Sequence, residues 1–125
     1  MNLWNFLAVG AGGALGAMAR YGTHKALNAW HGAEGAWSTF GINVIGALAL
    51  GLAVGFLAHR DSHLSLFVMV GFCGAFTTFS TFALDMVVLF RDRGFGVSAL
   101  YISLSVFLGL VAFLIGLALS RGNLG

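Results

Sequence analysis

The chain contains four long apolar stretches that are separated by short polar segments. They run from about Leu3 to Ala19, Ala36 to Ala58, Leu64 to Phe90, and Phe95 to Ser120. Crossing the hydrocarbon core of a bilayer takes roughly 20 apolar residues per helix. The stretches show no period-two alternation, which argues against a β-barrel. The pattern therefore predicts an all-α membrane protein with four transmembrane helices in a single domain, residues 1–125.

Composition supports this fold class and excludes other functions. Of the 125 residues, 59% are hydrophobic and only 8% are charged, and the mean hydropathy is +0.95. So few charges cannot provide the polar surface of a soluble domain. The six basic residues are scattered over the segments between spans, which is unlike a nucleic-acid-binding stripe. We expect a multi-pass protein of the inner (plasma) membrane.

The chain has 19 glycines and no proline, and two glycine pairs have the spacing of helix contacts. Gly12-x-x-x-Gly16 and Gly51-x-x-x-Gly55 are small-xxx-small patterns, which let helix backbones approach closely in lipid. They predict a tightly packed bundle. Four short helices cannot easily surround a polar pathway, so a transport function implies an oligomer, most simply a two-fold dimer.

The third stretch contains the run GFCGAFTTFSTFALD at residues 71–85, which is unusually polar for a membrane segment. Its polar side chains are Thr77, Thr78, Ser80, Thr81 and Asp85. Scattered hydroxyls in helices usually bond back to a carbonyl one turn earlier, but such a dense run favours a functional discontinuity. Gly71 and Gly74 precede it and weaken the helix. We predict a break near Gly74–Thr78, with freed carbonyl oxygens that suit a hard cation.

Two aromatic residues follow the predicted break. Phe79 and Phe82 are three apart and share a face if the segment after the break is helical. They could serve only in packing or face lipid. Alternatively, because an aromatic ring has a positive edge, rings turned edge-on could stabilise an anion.

Polar side chains in the other spans leave two interpretations open. Asn43 could join helices by hydrogen bonds, or its amide could donate to a passing anion. In the fourth stretch, Ser98, Tyr101 and Ser105 form one stripe along a helix face. The stripe could likewise join helices or form the wall of a pathway.

Residues 71–82, GFCGAFTTFSTF, resemble the G-x-x-G-x-x-T-T-F-S-T-F signature of the Fluc (CrcB-type) fluoride channel family. Further matches occur in the family's order: GGALGAMARY at 12–21, Asn43 followed by Gly46, and Tyr101. The resemblance covers essentially the whole chain. It implies a fluoride-selective channel, not an enzyme, that exports cytoplasmic fluoride by passive electrodiffusion and confers fluoride resistance.

The resemblance also implies an assembly and a set of site residues. It implies a dual-topology antiparallel homodimer with two pores and a structural Na⁺ at its centre, held by carbonyls of Gly74 and Thr77 from both subunits. Arg20 would lie in the vestibule. Asp85, where relatives commonly carry Glu, is a possible pore carboxylate. The implied pore and fluoride residues are Thr39, Asn43, Phe79, Ser80, Phe82, Tyr101 and Ser105.

Two other functions are weighed against a fluoride channel. A small four-helix proton-coupled multidrug exporter needs a titratable acid, often in its first span, but Leu3–Ala19 contains none. The only acid predicted at membrane depth is Asp85. A non-transporting assembly subunit would use its polar residues only to join helices. An enzyme is not indicated, because the sequence shows no nucleophile–base pair or phosphate-binding loop.

Overall fold

The structure is a computed structural model that describes residues 2–31, 35–57 and 62–122. Every regular element within these ranges is helical, so the predicted all-α fold class is confirmed for this part of the chain. The predicted end of the second span, Ala58, lies outside it. The elements are α1 (Leu3–His31), α2 (Gly35–Leu57), α3 (Ser62–Ser65), a π-helix here called π1 (Leu66–Cys73), α4 (Gly74–Phe76), α5 (Phe79–Arg93) and α6 (Phe95–Gly122).

Three helical segments of the described residues are long and apolar enough to cross a membrane. They are Gly35–Leu57, His63–Arg93 and Phe95–Arg121. Helix α1 is also long, with 29 residues, but it continues past the predicted span end at Ala19 to His31. Charges such as Arg20 end an apolar stretch without ending a helix, because a long basic side chain can lie along a helix surface with its charge in water. The protein is a multi-pass membrane protein.

Helix α1 packs against π1 through glycine contacts. Gly12 and Gly16 of α1 lie against the backbone carbonyls of Phe67 and Phe72, where a Cβ atom would collide with the carbonyl oxygen. From the other side, a Cβ at Gly71 would lie 2.7 Å from the carbonyl oxygen of Val9. The predicted role of Gly12 and Gly16 in close helix packing is confirmed.

Helices α2 and α6 pack together in the same way. Gly51 lies against the carbonyl of Phe113, and Gly116 of α6 lies against the carbonyl of Leu48. Gly55 faces the buried side chain of Ser120, whose hydroxyl donates to the carbonyl of Gly51 at 3.3 Å. The second predicted glycine pair therefore also marks a close helix contact.

The turn between α5 and α6 is a single residue, Gly94. Its φ of 93° lies in the left-handed region that side chains disfavour, and its N–H donates to the carbonyls of Leu89 and Phe90. The two helices therefore form a hairpin. It brings Phe79 and Phe82 of α5 and Ser105 of α6 to the same part of the protein.

We predict that Gly12→Ala destabilises the fold by about 1–3 kcal/mol, because the new methyl group overpacks the contact with Phe67. Gly10→Ala on the same helix is the control, since a Cβ there meets nothing within 4 Å. Denaturant unfolding in detergent micelles measures both free energies. Equal free energies of unfolding for the two variants would show that Gly12 does not pack closely against the Phe67 carbonyl.

Candidate functional site

The helical conformation is interrupted between α4 and α5, inside the hydroxyl-rich run. Thr77 (φ −85°, ψ 160°) and Thr78 (φ −150°, ψ 124°) are both extended. Thr78 then caps α5, because its Oγ1 accepts the N–H of Thr81 at 3.2 Å. The Thr77 hydroxyl donates back to the Cys73 carbonyl at 2.9 Å, as hydroxyls in apolar helices often do.

Asn43 of α2 holds the extended backbone of Thr78 on both sides. Its Nδ2 donates to the Thr78 carbonyl at 3.0 Å, and its Oδ1 accepts the Thr78 N–H at 2.9 Å. We call these paired hydrogen bonds the Asn43–Thr78 clamp. Three residues along α2, Gly46 leaves the space that the methyl group of Thr77 occupies. The interpretation of Asn43 as a link between helices is therefore supported, and its second Nδ2 hydrogen is not used by the clamp.

The clamp and the Thr78 cap together redirect the hydrogen bonds that a continuous helix would make to the carbonyls of Gly74 and Thr77. In such a helix, the N–H groups of Thr78 and Thr81 would donate to the carbonyls of Gly74 and Thr77. Here they donate instead to Asn43 Oδ1 and Thr78 Oγ1. The two carbonyls that the family resemblance implies as sodium ligands thus lose their helical donors. Oxygen-only ligands of this kind fit a hard cation.

A cavity of about 410 Å³ lies beside the interruption. It brings together four of the predicted pore residues, Asn43, Phe79, Phe82 and Ser105, with Gly74 and Thr77. None of its lining residues carries a formal charge. The others are Gly46, Ala47, Leu50, Met69, Cys73, Thr78 and Val106.

One polar atom in this wall has no partner among the described residues. The Ser105 hydroxyl is buried and makes no hydrogen bond. An unpaired buried hydroxyl costs free energy, so it marks a place where a ligand could supply the missing partner. Ser98, two positions earlier in the same stripe, differs because its hydroxyl donates to the Met86 carbonyl at 2.8 Å. The stripe therefore joins helices at Ser98 and faces the cavity at Ser105.

The two phenylalanines stand next to each other on α5. Their ring centroids are 5.9 Å apart, with an angle of 46° between the ring planes. Phe79 is 78% exposed, whereas Phe82 is buried. The helix that starts after the interruption therefore presents both rings to the same cavity, one at its rim and one deeper in its wall.

Tyr101 and Asp85 do not line this cavity. Tyr101 is completely buried, and its hydroxyl donates to Asp85 Oδ2 at 3.3 Å. Their hydrogen bond joins α6 to α5, and the Tyr101 ring packs against the Phe82 ring with centroids 5.3 Å apart. Asp85 is paired with Tyr101 and separate from the cavity wall.

A second cavity of about 290 Å³ contains the predicted vestibule residue Arg20. Thr39, another predicted site residue, also lines it, and its hydroxyl donates to the Gly35 carbonyl at 3.0 Å. Thr78 lines both cavities. Ser80 is exposed and lies 3.4 Å from the Thr78 hydroxyl, outside both linings.

Two important residues were not singled out individually from the sequence. Thr78 was seen only as a member of the hydroxyl run, although its backbone is the partner of Asn43. Trp37 was not identified at all, yet it contacts Tyr101 edge-on with centroids 5.7 Å apart. An indole in an apolar stretch gives no periodic signal for such a contact.

The chain is similar to a known protein family over most of its length. Residues 7–117 match the family described as "CrcB-like protein, Camphor Resistance (CrcB)". A "Fluoride-specific ion channel FluC" of Rhodospirillum centenum is 43% identical over 118 residues, covering 92% of this chain and 94% of the relative. Proteins of the same name from Cereibacter sphaeroides and Nitrobacter winogradskyi are each 41% identical, covering 94% of this chain and 95% and 97% of the relatives.

The family match covers nearly the whole chain, and the relatives are named fluoride channels. Both findings agree with the signature at residues 71–82, so the chain belongs to the CrcB-like (Fluc-type) family.

Proposed function

We propose that the protein is a fluoride-selective channel through which cytoplasmic fluoride leaves the cell by passive electrodiffusion, and which thereby confers fluoride resistance. The observation that carries this proposal is the uncharged cavity at the helix interruption, with two phenylalanine rings and the unpartnered Ser105 hydroxyl in its wall. The relatives' name, fluoride-specific ion channel, supports the choice of ion.

Neutral wall chemistry suits the conduction of fluoride. The ion is small and strongly hydrated, so removing its water is costly unless other donors replace it. A basic side chain in the wall would hold the anion too tightly, because conduction requires that the ion also leave. The Ser105 hydroxyl, the second N–H of Asn43 and the ring edges of Phe79 and Phe82 provide moderate attraction instead.

The membrane potential supplies the direction of transport. In a cell that is negative inside, the free energy of a monovalent anion falls by about 2.3 kcal/mol per 100 mV when the anion leaves. Fluoride that enters as neutral HF and dissociates in the cytoplasm would therefore flow outward through a passive pore. Neither a coupled ion nor a titratable carrier residue is required.

The channel would be an antiparallel, dual-topology homodimer of four-span subunits with two pores. In each subunit, α1 would cross the membrane in addition to the three apolar segments Gly35–Leu57, His63–Arg93 and Phe95–Arg121. Exposed cavity residues support a second copy: Phe79 is 78% and Val106 is 62% exposed, on the rim of a cavity that also contains polar groups. Polar groups at membrane depth are stable only when they are buried in protein or line a cavity. A second subunit would close this rim.

A structural sodium ion fits the same interruption. Gly74 is exposed, and the carbonyls of Gly74 and Thr77 have lost their helical donors. Held by these carbonyls from both subunits, a sodium ion would supply positive charge that offsets their partial negative charges and would join the two copies.

The alternative functions have less support. A proton-coupled multidrug exporter would need an accessible acid, but Asp85 is buried and bonded to Tyr101. The relatives are named ion channels, which favours neither that exporter nor an enzyme.

We predict that purified protein in liposomes releases fluoride rapidly and retains chloride. Phe79→Ile should slow fluoride efflux about fivefold, because it removes a positive ring edge from the cavity together with the aromatic pair that Phe79 forms with Phe82, which is worth about 1 kcal/mol. Phe90→Ile, an exposed position on the same helix outside the cavity lining, is the control. Ion-selective electrodes measure both anions. Equal fluoride efflux in both variants would refute a role for the Phe79 ring.

We further predict that Ser105→Ala slows fluoride efflux while leaving thermal stability equal or higher. The hydroxyl has no partner within residues 2–31, 35–57 and 62–122, so its removal deletes no hydrogen bond to this part of the chain. Ser103→Ala, an exposed serine two residues earlier, should change neither quantity. If Ser105→Ala conducts normally, its hydroxyl does not contact the ion.

Sodium should stabilise the protein. We predict a higher melting temperature in sodium chloride than in N-methylglucamine chloride at equal ionic strength, because only the folded protein offers the carbonyl ligands. Thermal scans in detergent across sodium concentrations measure the shift. A melting temperature that does not depend on sodium would rule out the Gly74 and Thr77 site.

A further inference from the structure

The ring of Tyr101 is held on three sides at the interface of α5 and α6. Its centroid lies 5.3 Å from that of Phe82 and 5.7 Å from that of Trp37, which meets it nearly at a right angle (89°). Its hydroxyl donates to Asp85 Oδ2 at 3.3 Å. No part of the Tyr101 side chain is exposed.

This arrangement limits what Tyr101 can offer an ion. A tyrosine hydroxyl has one proton to donate, and here that proton is directed at the Asp85 carboxylate. Tyr101 is also absent from the residues that line the 410 Å³ cavity. Its influence on the cavity therefore passes through Phe82, which lines the cavity and packs against the tyrosine ring.

The orientation of the Phe82 ring matters because an aromatic ring attracts anions only at its edge. A ring free to rotate would present its negative face to the cavity for part of the time. Tyr101 restricts this rotation if its own ring is fixed, and the hydrogen bond to Asp85 fixes the far end of that ring. Trp37 supports the ring from another side.

The burial of Asp85 indicates that its carboxylate has a role inside the helix bundle. It is only 9% exposed and lies within the segment His63–Arg93, which is apolar enough to cross a membrane. An acid at membrane depth is costly unless it is hydrogen-bonded. Its short side chain keeps the carboxylate close to α5, beside the Tyr101 hydroxyl.

We propose that Asp85 and Tyr101 are positioning residues that fix the edge of Phe82 toward the cavity and so set the selectivity for fluoride over chloride. This proposal rests on the proposed channel function. It gives Tyr101 a role through Phe82 and not as a donor to fluoride, and it places the Asp85 carboxylate outside the ion path.

The test is a double-mutant cycle with Asp85→Ala, Tyr101→Phe and their combination, measured as fluoride and chloride efflux from liposomes. Each single variant should lower the ratio of fluoride to chloride efflux about tenfold, the size expected for losing one hydrogen bond to a charged group. The double variant should be no worse than either single one. Asp85→Asn keeps an acceptor for the tyrosine and should stay within about threefold of the parent protein.

Ser98→Ala is the matched control for stability. It removes another hydrogen bond between α5 and α6, the part-buried one to the Met86 carbonyl, and leaves both partners of the Tyr101–Asp85 bond in place. It should lower the melting temperature and leave the efflux ratio unchanged. Additive effects of Asp85→Ala and Tyr101→Phe, or an efflux ratio lowered equally by Ser98→Ala, would overturn the proposal.

A second readout does not depend on ion flow. A fluorinated phenylalanine incorporated at position 82 should give one narrow ¹⁹F resonance in the parent protein and a broadened or shifted one in Asp85→Ala and Tyr101→Phe. An unchanged resonance in both variants would overturn the positioning role even if the parent conducts fluoride. A parent protein that releases no fluoride would refute the proposed function instead, whatever the resonance shows.

Discussion

The Asn43–Thr78 clamp is the interaction on which the rest of the site depends. Two consecutive extended residues in an apolar bundle leave backbone groups without helical partners, and each such group costs several kcal/mol in a membrane. The amide of Asn43 pairs with both polar groups of the Thr78 backbone. Because the clamp holds Thr78 extended, α5 can begin at Phe79, and this start sets the directions of the Phe79 and Phe82 rings.

Glycine contacts hold α2 in the position from which Asn43 reaches the Thr78 backbone. Gly46 lies one turn after Asn43 and admits the Thr77 methyl group, so one face of α2 both holds the interruption and makes room for it. Gly51, further along α2, brings the helix against the α6 backbone, and α6 supplies Ser105 to the opposite wall. Close backbone packing therefore determines the width of the cavity as well as the stability of the bundle.

Features that depend on local sequence could be predicted, and features that depend on long-range register could not. Long apolar stretches predicted the helical fold class, and glycine spacing predicted that Gly12 and Gly51 lie in close helix contacts, because each of these sequence patterns lies within one helix. The use of Asn43 on the Thr78 backbone joins positions 35 residues apart, so no local pattern encodes it. The pairing of Tyr101 with Asp85 depends likewise on how α5 and α6 meet. The extension of α1 to His31 was missed because hydropathy reports membrane depth and not helix length.

Several of the hydroxyls that the sequence places within the spans already form hydrogen bonds inside the protein. Those of Thr39, Thr77 and Ser98 donate to backbone carbonyls, and that of Tyr101 donates to a carboxylate. A run of hydroxyls in the sequence therefore overstates the polarity of the wall that an ion would meet. In the proposed channel the small number of free hydroxyl donors favours conduction, because a wall with few free donors binds a dehydrated anion weakly enough to release it. Selectivity must then come from the geometry of the few groups that remain, which makes the orientation of the Phe82 ring matter more than the number of hydroxyls.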